Sequence, residues 1–502
     1  MTSHLTPRLA QLAASGLLPQ LAHIRRGIEK EALRVTAGGV LAKTAHPPAL
    51  GAALTHPYIT TDYSESLLEF ITPAGEQVDE TLGFLEKLHR YTASQLDGEY
   101  LWPASMPCAL QGNDSIPIAE YGSSRLGRMK HIYRRGLDVR YGRIMQSIAG
   151  IHYNFSLPDS FCQGYRRLLG SQDSLVEFRS AQYFALMRNF RRYGWLLLYL
   201  FGASPALSQS FMAGRPHRLA KLGKDTLYLP HATSLRMSGL GYQNDAQATL
   251  NISTNSLAEY SRDLDWALNT PHPRYSRIGV EVDGECRQLN DNILQLENEY
   301  YSDIRPKRVT RADETPLQAM AAQGVEYIEV RNLDINPFLP LGIDETQVRF
   351  LDTFLLFCLL QDSPSITAEE QQRLRRNQIR VAENGRNVGL LLETTAGEIS
   401  LLEWSNRLFA NLTEIAQLLD KAGQGHVRAV THFSALLRHP ELTPSARVLK
   451  HLQGKDYHSA MLMQSARLTE QWRRSPLDSH QYRYHRRLAI DSLTEQARLE
   501  TV

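Results

Sequence analysis

Four short segments of the sequence place charged or polar side chains on alternate residues, which is the spacing of one face of a β-strand. The segments are Gly27–Glu31, Ser66–Ile71, Gly150–Phe155 and Glu326–Arg331. With the exception of Lys30, the intervening positions are mainly apolar, so each predicted strand has one largely apolar face and one face that carries carboxylates, a histidine or an arginine. If the strands share a sheet, these groups converge on one surface. Such oxygen ligands suit Mg²⁺ and phosphate, which indicates phosphoryl-transfer chemistry.

Glu29 and Glu31 form the first pair of carboxylates. On a strand their Cβ atoms are ~6.6–6.8 Å apart on the same face. Two like charges at this distance repel each other unless a cation lies between them. The alternative is a solvated strand face beside Lys30 and Arg34.

The next candidates are His152 with Asn154, and Asp62 with Glu69. A neutral imidazole at position 152 can bind a divalent metal or donate to a phosphate oxygen. The alternative is a histidine that is hydrogen-bonded within a polar sheet face. Glu69 lies within the apolar run Leu67–Ile71, so it is either at a strand surface or buried with a partner.

Glu329 and Arg331 share one face of the fourth segment with Tyr327. Glu329 can bind a metal while Arg331 binds a carboxylate or phosphate; alternatively, Arg331 only neutralises Glu329. The cationic run Arg305–Arg308 can bind polyphosphate or can be a solvated surface. The sequence contains no Walker A motif and no GxGxxG motif opening a helix, which argues against a P-loop or Rossmann nucleotide site.

The composition does not indicate a nucleic-acid or membrane partner. The chain has 502 residues and a formal net charge of +2. Its four cysteines are far apart and form no CxxC pair, which argues against a disulfide scaffold and fits a reducing compartment. No secretory signal is visible, and the most apolar run, Trp195–Phe201, is far shorter than the ~20 residues that cross a bilayer. We therefore expect a cytoplasmic protein.

The pattern of apolar residues predicts an α+β fold with an antiparallel sheet, because the strands occur in hairpin-like groups rather than regular βαβ units. A strand–turn–strand unit with its turn at Asp283-Gly284 is predicted within 277–300. The predicted strands cover residues 26–36, 66–72, 147–157 and 325–333. The predicted helices cover residues 7–25, 78–96, 174–201, 345–361, 405–421, 427–438 and 457–473.

At several of these segments the sequence resembles the glutamate–cysteine ligases of proteobacteria, in order over about residues 20–360. The matching segments are Arg26–Val35, Ile59–Asp62, Leu67–Pro73, Gly150–Ser156, Tyr199–Pro205, Ala232–Arg236, Ile304–Arg308 and Glu326–Arg331. The resemblance implies a glutamine-synthetase-like antiparallel sheet that forms a funnel-shaped active site and is flanked by helices. It implies one catalytic domain over residues 1–502, with the sheet-based site in 1–340 and a mainly helical part in 341–502.

The resemblance also implies ATP- and Mg²⁺-dependent ligation of the γ-carboxyl of L-glutamate to L-cysteine through γ-glutamyl phosphate, the first step of glutathione biosynthesis. Mn²⁺ is an alternative metal, and we expect a monomer whose partners are these small molecules. Glu329 and Arg331 would be catalytic. The metal ligands would be Glu29, Glu31, Asp62, Glu69, His152 and Glu329. ATP would be bound by Arg305, Lys307 and Arg308, and the amino-acid substrates by Tyr133, Gln146, Asn154, Arg236, Tyr242, Tyr301 and Arg331. Gly239 departs from the family pattern, in which an acidic residue is common before Leu-Gly-Tyr.

Three other functions remain open at this stage. A related carboxylate–amine ligase would use the same activation with a different amine. A two-metal phosphate-ester hydrolase would release phosphate without an amino acid. A non-catalytic metal- or nucleotide-binding protein would be stabilised by Mg²⁺ without turnover.

Overall fold

A central antiparallel sheet organises the computed structural model, which describes residues 5–240, 250–311 and 314–501. The strands are β1 Arg25–Thr36, β2 Ile59–Thr61, β3 Leu67–Ile71, β4 Glu99–Leu101, β5 Ile151–Ser156, β6 Ala206–Ser208, β7 Ala220–Leu222, β8 Thr226–Tyr228, β9 Glu281–Val282, β10 Glu285–Cys286, β11 Ile304–Lys307, β12 Tyr327–Leu333, β13 Leu391–Thr394 and β14 Gly397–Ser400. Within the described residues the main sheet has seven strands in the order β11-β12-β5-β1-β3-β2, and β4 pairs with the end of β1. All of its pairings are antiparallel, as predicted.

Helices surround this sheet and make up most of the chain after residue 340. They are Leu5–Ala14, Val78–Gln95, Arg125–Tyr141, Asp159–Leu168, Leu175–Tyr193, Trp195–Phe201, Gln209–Met212, Leu257–Asn269, Pro273–Ile278, Pro316–Gln323, Glu345–Leu360, Ala368–Asn384, Leu401–Leu419, His426–Arg438, Pro444–His451, Tyr457–Arg474 and Ser479–Glu500. Among the described residues, none of these helices is both long enough and apolar enough to cross a membrane.

Behind the apolar face of the sheet lies an almost entirely buried helix, Glu345–Leu360, which bonds to the strands through Asp352. A helix that is apolar all round is stable only when neighbours cover every side, and here the helices Leu175–Tyr193, Leu401–Leu419 and His426–Arg438 do so. One polar residue of this helix, Asp352, accepts hydrogen bonds from Arg26 at 2.9 Å and from the Tyr153 hydroxyl at 2.6 Å. This buried ion pair connects the helix to β1 and β5 behind the polar face.

The strand predictions are confirmed at all four segments, with boundaries within a few residues. The predicted turn at Asp283-Gly284 is also confirmed, because both residues have positive φ, 55° and 78°, as a tight two-residue hairpin requires.

The prediction of one helix over 174–201 is wrong, because the helix is interrupted at Gly194. The Leu197 N–H bonds to the Gly194 carbonyl three residues back, which breaks the regular i→i−4 pattern. A Cβ at position 194 would lie 2.7 Å from the Phe190 carbonyl oxygen, so the close turn needs glycine.

The region 7–25 is likewise two elements, a helix that ends at Ala14 and a 3₁₀ turn over Leu18–His23. Among the long helices that the pattern left unpredicted are Ala368–Asn384 and Ser479–Glu500. Both have few apolar residues, and hydrophobic periodicity is weak in such helices.

Lys30 lies between two acidic residues in sequence but points to the opposite, buried face of β1. Its Nζ is 2.8 Å from His89 Nε2 and 5.9 Å from the centre of the Trp472 ring. Burial lowers the pKa of Lys30 to about 7 and lowers that of His89 well below its ordinary value. The imidazole is therefore a neutral acceptor, and a charged ammonium is costly at this position.

We expect the Lys30→Met variant to gain thermal stability relative to the wild-type protein as the pH falls from 9 to 6. The pKa of Lys30 is lower in the folded than in the unfolded chain, so the penalty for burying this residue is greatest below pH 7 and decreases as the pH rises. Calorimetric midpoints across this pH range measure the difference. The exposed Lys43→Met is the matched control and should have no such trend; a pH-independent difference for Lys30→Met would contradict the argument.

Candidate active site

The register of the main sheet places the predicted site residues side by side on one face. Glu29 lies opposite His152, and Glu31 lies opposite Glu69. Glu329 lies opposite both Asn154 and Arg305. Neighbouring strands are ~4.8 Å apart, so five distant segments of the chain form one polar surface.

Glu29 is at the centre of this surface. Its two carboxylate oxygens accept hydrogen bonds from His152 Nδ1 at 3.0 Å and from Asn154 Nδ2 at 2.9 Å. Although burial acts to raise it, the hydrogen bond from His152 holds the pKa of Glu29 below its ordinary value. With Nδ1 donating to Glu29, Nε2 of His152 keeps a lone pair that can bind a cation.

Glu329 is almost completely buried, yet it is surrounded by cations. Arg331 Nη1 is 3.0 Å from one oxygen, and Lys307 Nζ is 3.4 Å from the other. Burial alone would raise the pKa of Glu329, but Lys307, Arg331 and His152 hold it well below the ordinary value. Glu329 is therefore ionised at neutral pH.

Glu31 and Glu69 have the opposite electrostatic environment. Burial and the neighbouring Asp62 raise the pKa of Glu31 to about 8, even though its carboxylate accepts the Gly150 N–H at 2.6 Å. Burial and the charges of Glu29, Asp62 and Glu31 raise the pKa of Glu69 well above its ordinary value. A divalent cation at this position would offset the mutual repulsion of the carboxylates.

Ligand atoms of Glu29, His152 and Glu329 all lie within 4.8 Å of one another, which makes these residues a candidate metal site within the described chain. The donors are carboxylate oxygens and one imidazole nitrogen, with further carboxylates nearby. This donor set suits Mg²⁺ or Mn²⁺ better than a soft metal. The residues present therefore fit a divalent cation.

A cavity of about 970 Å³ opens over this face, at the upper end of the range for small-molecule sites. Most of the residues predicted from the sequence line it. They are Glu29, Glu31, Asp62, Glu69, Tyr133, Gln146, His152, Arg236, Tyr301, Arg305, Lys307, Glu329 and Arg331.

Two predicted residues are placed differently, and a third lies outside the described residues. Asn154 is not part of the lining but holds Glu29 by its hydrogen bond. Arg308 donates to the carbonyls of Gln323 and Gly324 at 2.9 and 3.1 Å, away from the cavity lining. Tyr242 falls outside the described residues, whereas Gly239, just before that segment, lines the cavity.

Sequence reasoning did not find the contribution of the helix Ala368–Asn384 to the cavity wall. Gln371, Arg375 and Gln378 line the cavity, and Gln378 Nε2 donates to Asp303 Oδ2 at 2.6 Å. Their spacing of four and three residues is that of one helix face. In the sequence, these residues form a polar stripe along one face of a helix. The same stripe is found in an ordinary helix that faces solvent, so it did not indicate a cavity wall.

The segments that form the cavity lie within a region that matches a known protein family. The glutamate–cysteine ligase family matches residues 9–381. The chain belongs to the glutamate–cysteine ligase family. It is 53% identical over 504 residues to a glutamate–cysteine ligase of Pseudomonas aeruginosa, covering 100% of this chain and 95% of that protein. Its identity to the Azotobacter vinelandii glutamate–cysteine ligase is 52%, covering 100% of this chain and 96% of that protein.

Solved structures of similar proteins have the same fold. The crystal structure of the Francisella tularensis glutamate–cysteine ligase in complex with AMP superimposes with a TM-score of 0.91 at 36% identity, covering 95% of each chain. A bifunctional glutathione synthetase from Pasteurella multocida matches with a TM-score of 0.74 at 28% identity, over 94% of this chain and 55% of that one. The predicted fold class is thereby confirmed.

Glu29→Gln should weaken binding of Mn²⁺, measured by isothermal titration in the presence of ATP, by about tenfold or more. The substitution keeps the size of the side chain and one acceptor oxygen but removes the charge. Circular dichroism should show an intact fold, since the amide oxygen can still accept from Asn154 and the amide nitrogen can donate to the other tautomer of His152. The exposed Glu76→Gln is the control for general loss of negative charge. Wild-type Mn²⁺ affinity in Glu29→Gln would remove Glu29 from the metal site.

Proposed function

We propose that this protein joins the γ-carboxyl of L-glutamate to the amine of L-cysteine, converting ATP to ADP and phosphate, in the cavity over the sheet. ATP-dependent formation of γ-glutamylcysteine is the reaction of the family to which the chain belongs, and it is the first step of glutathione synthesis. The observation that carries the proposal is the convergence of the carboxylates, His152, Lys307 and Arg331 in one cavity.

A carboxylate does not react with an amine at neutral pH, because it has no adequate leaving group. In the proposed mechanism, a γ-carboxylate oxygen of glutamate attacks the γ-phosphorus of ATP in line, and ADP leaves. The free amine of cysteine then attacks the γ-carbonyl carbon of γ-glutamyl phosphate. The resulting tetrahedral intermediate collapses, phosphate leaves, and the amine loses a proton.

The carboxylate cluster is proposed to bind Mg²⁺, or Mn²⁺ in its place. The residues that would hold the metal are Glu29, Glu31, Asp62, Glu69, His152 and Glu329. When bound, the metal would neutralise phosphate charge and orient the oxygens that enter and leave during phosphoryl transfer.

Three cations on β11 and β12 would neutralise the phosphates from the other side. Lys307 and Arg331 reach the cavity beside Glu329. Arg305 is held by backbone carbonyls. Its Nη2 donates to the carbonyl oxygen of Asn298 at 3.0 Å and to that of Tyr300. A cation that is already anchored needs little reorganisation as charge develops on the transferring group, which favours the transition state. Arg308 is retained as a predicted ATP-binding residue only on the family resemblance.

The remaining cavity residues would bind the amino acids. Arg236 would hold the α-carboxylate of glutamate, with Gln146 nearby. Tyr133 and Tyr301 would wall the cysteine site and exclude water, which would otherwise hydrolyse the acyl phosphate. The Tyr301 hydroxyl lies 3.1 Å from Met237 Sδ, next to Arg236 in the chain. Tyr242, by resemblance, would complete this wall.

We further propose that residues 1–502 act as one catalytic domain and that the protein is a cytoplasmic monomer. One cluster of buried apolar residues includes members from Leu5 to Trp472, so the sheet and the later helices share a core. The described cysteines are free thiols, which fits a reducing compartment where ATP and cysteine are available. Light scattering of the purified chain tests the monomer.

The wild-type protein should release ADP only when glutamate is present, and it should form γ-glutamylcysteine when cysteine is added. Coupled ADP detection with cysteine, with 2-aminobutyrate as a thiol-free acceptor, and with no amine measures this. Preference for another amine would indicate a different ligase, and phosphate release from ATP without any amino acid would indicate a hydrolase. Thermal stabilisation by Mg²⁺ without turnover would indicate a non-catalytic protein.

Arg331→Ala should lower kcat by ~10²–10³, because it removes a fixed cation from the phosphoryl-transfer site. Steady-state kinetics at saturating substrates measures the loss. The exposed Arg407→Ala is the matched control and should retain wild-type kcat. A decrease of less than tenfold would contradict the proposed role.

A further inference from the structure

A buried carboxylate that the mechanism above does not use lies three residues beyond Arg331. Asp334 follows the end of β12 and is 2% exposed. One of its oxygens accepts the Ala203 N–H at 2.8 Å and the Ser204 hydroxyl. The other accepts the Ser234 hydroxyl at 3.0 Å and lies 3.7 Å from Arg236 Nη1. An ionised group at this depth is costly unless its charge is compensated.

The guanidinium of Arg236 occupies a narrow slot between two strands. Its Nη2 donates to the Arg331 carbonyl at 2.8 Å, and its Nη1 lies 3.3 Å from the Leu333 carbonyl. On the other side, a Cβ at Gly150 would lie 2.2 Å from Nη2, so only glycine permits this approach. The carboxylate of Asp334 lies within ion-pair distance of Arg236.

The segment that carries Arg236 is joined to β12 through the same carboxylate. Ser204 and Ser234 are paired in a parallel bridge, and the Leu235 N–H donates to the Ser204 carbonyl at 2.7 Å. Both serine hydroxyls donate to Asp334, which directly follows the strand that carries Arg331. The position of Arg236 relative to Arg331 therefore depends on this contact.

We propose that Asp334 is a positioning residue that orients Arg236 toward the α-carboxylate of the amino acid whose γ-carboxylate is phosphorylated. The inference rests on the proposed function. Asp334 compensates part of the arginine charge and fixes the guanidinium against the carbonyls of β12. Its described partners are Ala203, Ser204, Ser234 and Arg236, and none of these is a proposed metal ligand or phosphate-binding residue. Its loss should therefore weaken binding of the α-carboxylate while leaving phosphoryl transfer close to normal.

The test uses the full-length Asp334→Asn variant, which keeps the shape of the side chain and removes its charge. KM for glutamate should rise about tenfold or more, while kcat and KM for ATP stay close to the wild-type values. The inhibition constant of 4-aminobutyrate, which keeps the reacting carboxylate and lacks the α-carboxylate, should not change. A purely structural role would not separate these two ligands.

Two further variants keep the inference falsifiable. Ser204→Ala removes one hydroxyl donor to Asp334 but keeps the charge of Asp334. It should raise KM for glutamate, by a smaller factor than Asp334→Asn does. If Asp334→Asn does not fold, the KM of Ser204→Ala is the test of the inference. Asp352→Asn is the matched control, because Asp352 is also buried and paired with an arginine but lies behind the sheet. It should lower the thermal midpoint without changing KM for glutamate.

The outcomes separate a failure of the proposed function from a failure of the role of Asp334. If the wild-type chain forms no γ-glutamylcysteine, the proposed function fails and the inference fails with it. If the wild-type chain is active and the Asp334 and Ser204 variants keep its KM for glutamate, only the inference is overturned. An equal loss of affinity for glutamate and 4-aminobutyrate would overturn it as well.

Discussion

Repulsion between carboxylates on one buried sheet face is the constraint around which the site is built. Glu31 and Glu69 face each other across β1 and β3, and their raised pKa values follow from burial and from neighbouring acids. Glu329, two strands away from β1, is held ionised by Lys307 and Arg331. The face therefore has an acidic half, where a cation is favourable, and a basic half, where phosphate is favourable. A nucleotide–metal complex can use both halves at once.

The opposite face of the sheet supports this arrangement. Ile28, Tyr153 and Val330 are completely buried there, and the helix Glu345–Leu360 lies behind the sheet, bonded to it through Asp352. The Arg26–Asp352 ion pair and the Tyr153 hydroxyl fix the helix against the strands. Side chains on a rigid, doubly supported sheet keep their positions better than side chains on loops, which a charged site needs because small displacements change its electrostatics.

The arginines of the site depend on backbone carbonyls as well as on acids. Arg236 is anchored to the carbonyl of Arg331, and Arg305 to the carbonyl of Asn298. A backbone carbonyl orients a guanidinium without neutralising it fully, so its charge remains available to a substrate carboxylate or phosphate. This explains how several cations can be fixed in advance of substrate binding.

The sequence by itself determined the polar and apolar faces of the strands, because alternation with a period of two is a local property of the chain. It therefore predicted β1, β3, β5 and β12 and the acidic and cationic side chains on them, and the motifs in those strands carried the family resemblance. It did not determine which strands are neighbours, since the pairing of Glu29 with His152 joins residues more than a hundred positions apart. The sequence also left open the interruption at Gly194 and the position of the Ala368–Asn384 helix in the cavity wall. Both depend on which residues of distant segments pack against these helices. Only the tertiary structure decided the pKa directions, the cavity and the contact of Asp334 with Arg236, because electrostatic interactions depend on distance in space and on burial.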